Sequence, residues 1–200
     1  MTTNRQGLIC AWCIGIALTG GCGTSKPVRY YALTAVNAQS DGAPPVARAS
    51  VGITKVALPA YLDRPQIVTG GQGNRLILLD DDRWAEPLTE GCARVLAADL
   101  AALLPGHLVR HHGWLDKTQL DYVVTVGIER FERVSGGTVK LVADWSVERR
   151  GAQQPARTLR REYVQATDGP STDALAHAMS AALSGLAGDI AVEINSGATP

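Results

Sequence analysis

The sequence predicts an α+β fold: a mainly antiparallel, mixed sheet with two amphipathic helices packed on one face. Three observations predict it. Short segments of alternating apolar and polar residues, bounded by Gly and Pro, recur along the chain and suit half-buried strands. Two segments switch to three- and four-residue apolar spacing, the period of a helix with one buried face. The helical segments follow runs of strands rather than alternating with them one by one, which argues against a doubly wound parallel sheet.

The elements follow in order. Tyr30-Tyr31-Ala32-Leu33 is a short first strand between Gly-, Ser-, Ala- and Pro-rich stretches at 23–28 and 37–50. In 51–58, Val51, Ile53 and possibly Lys55 alternate with Gly52, Thr54 and Val56, a strand stopped by Pro59. Residues 66–68 and 75–79 pair across the turn Gly70-Gly71-Gln72-Gly73-Asn74 as a hairpin. Leu88, Cys92, Val95, Leu96, Leu100 and Leu103 mark the first helix, which Pro105-Gly106 ends. Leu108 to His112 is a strand. Tyr122, Val124, Val126 and Ile128 alternate along the next, and beyond Ser135-Gly136-Gly137 the residues Val139, Leu141, Ala143, Trp145 and Val147 return as its hairpin partner, with Trp145 in the core. A third strand spans 158–166, and Leu175, Met179, Ala182, Leu183, Leu186 and Ile190 form a second helix starting near Ser171.

The first residues are of another kind. Arg5 supplies a short positive region, Leu8 to Leu18 an apolar one, and Thr19-Gly20-Gly21 leads into Cys22. This is the pattern of an export signal, and its apolar run is about half the ~20 residues that a membrane-spanning helix needs. The small residues ending in Cys resemble the lipobox of bacterial lipoproteins, cleaved before a Cys whose thiol carries diacylglycerol and whose new amino group takes an N-acyl chain. The Leu usual three residues before that Cys stands four before it, at Leu18, with Thr19 in its place. The expected organisation is a signal peptide at 1–21, a lipidated tether at 22–28, a single domain at 29–195 and a frayed tail at 196–200. Cys10 and Cys13 fall in the signal and Cys22 would be acylated, so Cys92 alone remains and the mature domain closes no disulfide within its own chain. No other cofactor is expected.

Nineteen basic residues balance nineteen acidic ones, so no net field gathers nucleic acid. Catalysis finds no constellation. His107, His111 and His112 have metal-like spacing, but on a strand His107 and His111 stand roughly 13 Å apart at ~3.3 Å per residue. Asp80-Asp81-Asp82 lacks the glycine-punctuated loop of a calcium site and reads as a solvated hairpin end. Arg149, Arg150, Arg157, Arg160 and Arg161 gather around one loop, as a solvated hairpin end or as a contact for lipid headgroups. No G-x-S-x-G, phosphate loop or H-E-x-x-H occurs.

Val56-Ala57-Leu58-Pro59-Ala60-Tyr61-Leu62-Asp63-Arg64-Pro65-Gln66-Ile67-Val68, followed by Asp82-Arg83-Trp84-Ala85-Glu86-Pro87-Leu88, resembles the PqiC-like ABC-type transport auxiliary lipoproteins. Tyr30-Tyr31-x-Leu33, Arg130-Phe131-Glu132 and Leu141-x-Ala143-x-Trp145 resemble the same family in the same order. The resemblance implies a non-enzymatic lipoprotein subunit of an intermembrane lipid transport system. Its implied partners are a periplasmic mammalian-cell-entry-type protein and an associated inner-membrane transporter, with assembly into a homo-oligomeric ring. Gly23 after Cys22, where enterobacterial lipoproteins kept at the inner membrane have Asp, implies the outer membrane, periplasmic face. An envelope-assembly or cell-wall-associated lipoprotein is the alternative. Tyr61, Arg64, Arg83 and Trp84 combine the aromatic and guanidinium groups enriched at protein contact sites. The same four also suit a rigid structural bend, with Arg64 paired to Asp63 or Glu86 and Trp84 filling space between hairpin and helix.

Overall fold

A computed structural model of the chain describes residues 26–37, 49–111, 120–134, 136–153 and 155–196. The signal segment, Cys22 and His112 therefore lie outside the described residues. The α+β expectation holds. Among the described residues eight strands, β1 (Arg29–Tyr31), β2 (Ala49–Ala57), β3 (Gln66–Gly70), β4 (Leu76–Trp84), β5 (His107–His111), β6 (Tyr122–Val134), β7 (Thr138–Arg149) and β8 (Thr158–Ala166), accompany two helices, α1 (Leu88–Leu103) and α2 (Thr172–Ser196).

The strands divide into two sheets, of order β1-β4-β3 and β5-β2-β6-β7-β8, where the sequence suggested one. The meander β6-β7-β8 and the hairpin β3-β4 are antiparallel, joined by short Gly-rich turns at β3-β4 and β6-β7 and by the longer loop 150–157 at β7-β8. β2, however, runs parallel to both β5 and β6, and β1 runs parallel to β4. A parallel partner is reached by a crossover, here through whole elements, and local periodicity carries no trace of it.

Both helices lie on one face of the larger sheet. Val51, Ile53, Val109, Tyr122, Val124, Val126, Leu141 and Trp145 face them, all buried. Two bulges keep that face apolar. At Thr54 the register of β2 against β6 slips, so Val56 turns inward and Lys55 outward. At Glu129 a second slip puts Phe131, three residues after Ile128, back in the core. Simple alternation would have placed Lys55 inside.

α1 starts behind Pro87, whose carbonyl accepts the N–H groups of Glu90 and Gly91. α2 is capped by Ser171, whose hydroxyl accepts the N–H of Ala174 at 3.1 Å. Ser196 is the last helical residue, one position into the expected tail. α2 is long and apolar enough to cross a membrane by composition, yet most of its apolar stretch is buried against α1, β7 and β8.

The small sheet meets the large one where β3 ends against β6. A Cβ at Gly70 would lie 2.9 Å from the Arg133 carbonyl oxygen, which is backbone and has no rotamer to escape into. Gly70→Ala should therefore cost about 1–3 kcal/mol. Urea unfolding of the purified domain checks this, with a shifted midpoint and an unchanged slope as the expected result.

Candidate functional site

The motif segment between β2 and β3 is an irregular loop that the two sheets hold from both sides. Pro59 accepts the Leu62 N–H at 3.0 Å, and Leu62 is buried and accepts the Arg64 N–H at 2.9 Å. Past this turn the Pro65 carbonyl accepts the Trp84 N–H at 2.8 Å, and Tyr31 accepts that of Ala85 at 2.8 Å. These bonds set residues 63–65 against 84–87 across an open pocket of about 310 Å³. Trp84 is only 6% exposed, and Pro65, Ala85 and Pro87 line the pocket with it. Arg64 stands exposed at this pocket.

The four motif residues thus have different duties. Trp84 belongs to the core. Tyr61 is half-buried and donates its hydroxyl hydrogen to Glu132 Oε2 at 2.6 Å. Arg83 keeps its Nε buried without a hydrogen-bond partner. Arg64 alone of the four is presented to solvent. Glu86, which the sequence offered as a mate for Arg64, instead pairs with Arg94, which also donates to the Leu33 carbonyl at 2.9 Å.

Three acidic residues outside the predicted contact set prove central. Glu132 is 1% exposed and accepts from Tyr61, from Arg130 Nε at 2.8 Å and from the Phe131 N–H at 3.1 Å. Burial, reinforced by this carboxylate, pushes the Tyr61 phenol up, so it stays a donor. Asp82 was expected at a solvated hairpin end together with Asp80 and Asp81. The structure corrects this: the triplet lies inside β4, and Asp82 is buried, accepting from Arg29 Nε at 2.6 Å and from the Thr172 hydroxyl at 2.5 Å. Between Leu79 and Arg83 no residue of β3 opposes the triplet, and on the other edge of β4 Asp82 pairs with Arg29 of β1. Asp99, also buried, accepts the Asn37 N–H at 2.7 Å, and burial raises its carboxyl above the ordinary carboxylate range.

The arginine cluster is largely neutralised. Arg160 pairs with Glu129 and Asp144, Arg161 with Asp189, and Arg150 with Asp121. Cys92 is fully buried and its thiol is pushed up by that burial, which makes it inert packing. Among the described residues no group of three or more His, Cys, Asp and Glu side chains gathers as a metal site.

The fold defines the class first. It is a small mixed α+β domain shared with a crystal structure of an uncharacterized protein, at TM-score 0.70 and 20% identity over 84% of this chain and 99% of that one. Protein XCC0632 from Xanthomonas campestris shares it too, at TM-score 0.60 and 18% identity with the same coverage. Residues 31–191 match the model of the ABC-type transport auxiliary lipoprotein component, and the chain belongs to that family. Its relatives agree: the intermembrane transport lipoprotein PqiC of Escherichia coli (strain K12) is 27% identical over 161 residues, 79% of this chain and 84% of the relative, and PqiC of Shigella flexneri matches equally.

Asp82 supplies a pH test. Burial alone would raise its carboxyl, but the bonds from Arg29 and Thr172 and the Arg29 charge outweigh it and hold the group below the usual carboxylate range. A carboxyl depressed in the folded state stabilises above its unfolded value, near pH 4, and that contribution is lost as pH falls through the folded value. Unfolding midpoints taken from pH 6 to pH 2 should fall less steeply in Asp82→Asn than in the parent, and the variant should be less stable at pH 6.

Proposed function

We propose that this chain is a non-enzymatic outer-membrane lipoprotein subunit of an intermembrane phospholipid transport system. Acyl chains on Cys22 tether it to the periplasmic face, and several chains make release negligible because each buried methylene contributes about 0.8 kcal/mol. Its docking surface is the pocket between Asp63-Arg64-Pro65 and Trp84-Ala85-Glu86-Pro87. The partner is a periplasmic mammalian-cell-entry-type protein that serves an inner-membrane transporter. Assembly of the chain into a homo-oligomeric ring would repeat the pocket around an axis and strengthen weak single contacts by multivalency.

One observation carries the reading: the motif turn leaves Asp63, Arg64 and Pro65 exposed beside a pocket that Trp84 and Pro87 also line. An exposed guanidinium at the mouth of a pocket whose wall is fixed by a buried indole suits an arginine-centred protein contact. Family membership and the PqiC relatives, which are intermembrane transport lipoproteins by name, support the transport context.

Photocrosslinking in intact cells tests it, from a photoreactive residue at position 64 and another at position 157, on the loop between β7 and β8. Trp84 is too buried to serve. Position 64 should capture a mammalian-cell-entry-type protein and position 157 should not. Capture of cell-wall material alone from position 64 would favour an envelope-assembly or cell-wall role instead.

A further inference from the structure

On the side of the large sheet away from the helices, the β3-β4 turn stands over an open cleft of about 570 Å³, larger than the Arg64 pocket. Arg130 of β6, Val142 of β7 and Arg160 of β8 form its floor, and Tyr61 borders it. The opposite wall is the turn itself, where Gly70, Gly71 and Gly73 present backbone in place of side chains. Gly71 also makes room for Arg75. A Cβ there would lie 3.3 Å from the Arg75 Nε, so the arginine arm runs along the glycines. A cleft of this size is ample for a small organic ligand.

Charge decides what such a ligand carries. Two carboxylates line the cleft, and both are already taken. Glu132, almost wholly buried, accepts from Tyr61, Arg130 and the Phe131 N–H, and both oxygens of Glu129 receive Arg160. Arginine donors are left over. The Arg75 guanidinium makes no hydrogen bond or ion pair among the described residues, and Arg130 bonds through Nε alone, which leaves both its terminal nitrogens open. A cation entering the cleft finds no free carboxylate there, whereas an anion finds free donors on two separate elements. A single planar guanidinium fork saturates a carboxylate, but a phosphate has oxygens enough to meet two. Leu76 and Val142 add apolar surface beside the arginines for the organic part of a ligand.

From the cleft and its unspent arginines we infer that this is a binding site for a phosphate group, held between Arg75 of the hairpin and Arg130 of β6. Inorganic phosphate and the phosphodiester of a small organic molecule share that chemistry. The site is separate from the Arg64 pocket, and it depends neither on acylation of Cys22 nor on docking at that pocket.

Titration calorimetry of the full chain tests this with glycerophosphoglycerol, inorganic phosphate and acetate, all at one ionic strength so that screening is constant. Two temperatures are used, so that a vanishing enthalpy is not mistaken for a lack of binding. Glycerophosphoglycerol should bind saturably, and Arg75→Gln, at an exposed position, should weaken it about tenfold or more. Val142→Trp, which fills the floor without changing charge, should weaken it too, with circular dichroism and the urea midpoint verifying that both variants fold. Tighter binding of the diester than of phosphate supports the site with an organic phosphate as its ligand, and phosphate binding at least as tightly supports it with the free ion. Acetate binding as tightly as phosphate overturns the inference. So does binding that Arg75→Gln or Val142→Trp leaves unchanged, or no saturable binding at either temperature.

Discussion

The contact on which the site depends is the one between Tyr61 and Glu132. The chain leaves the large sheet at Ala57 and enters the small one at Gln66, and the intervening loop has no ladder to hold it. Its tyrosine reaches the outer side of β6, where a carboxylate taken almost wholly from water must find donors or be expelled. Three arrive: the Tyr61 hydroxyl, the Arg130 guanidinium and the Phe131 N–H. Arg130 and Glu132 can stand side by side because residues two apart share a strand face, and the bulge at Glu129 decides which face that is. The loop is fixed from within, which frees Arg64 to point outward over its pocket.

The other buried carboxylates serve the N-terminal stretch in the same way. Asp82 ties β1 and the start of α2 to β4 through Arg29 and Thr172. Beyond β1, Leu33 is buried, Thr34 and Asn37 bond to Ser180 and Ser184 of α2, and Asp99 of α1 receives the Asn37 N–H. The first described residues are thereby strapped across both helices. β1 and the Trp84 end of β4 thus share the small sheet, and this strap joins that sheet to both helices.

Much of this is legible in the sequence, and what is not has identifiable causes. The two helices, the hairpin across Gly70–Asn74, the meander β6-β7-β8 and the buried Trp145 follow from period and turn chemistry, which are local. The parallel pairings of β2 and the division into two sheets depend on contacts between residues far apart in the chain. Alternation assigns Lys55 to the wrong face because a bulge leaves no mark in composition. The motif is visible as a motif, yet the split between buried Trp84 and exposed Arg64 needs the third dimension. Glu132 stands in the Arg130-Phe131-Glu132 run with nothing local to mark its role. A glutamate facing a tyrosine 71 positions earlier has no short-range signature. Asp82 is hidden by its neighbours Asp80 and Asp81, since three like residues in a row look like one solvated patch.

The most direct measurement of the central claim is a double-mutant cycle of Tyr61→Phe and Glu132→Gln, read by urea unfolding at neutral pH. If the pair fixes the motif loop, the two changes should be strongly non-additive, with a coupling of about 1–3 kcal/mol. Additive effects within about 0.3–0.5 kcal/mol would mean that the two side chains act independently. In that case the prolines and Leu62 alone hold the loop, and the Arg64 pocket does not depend on the Tyr61–Glu132 contact.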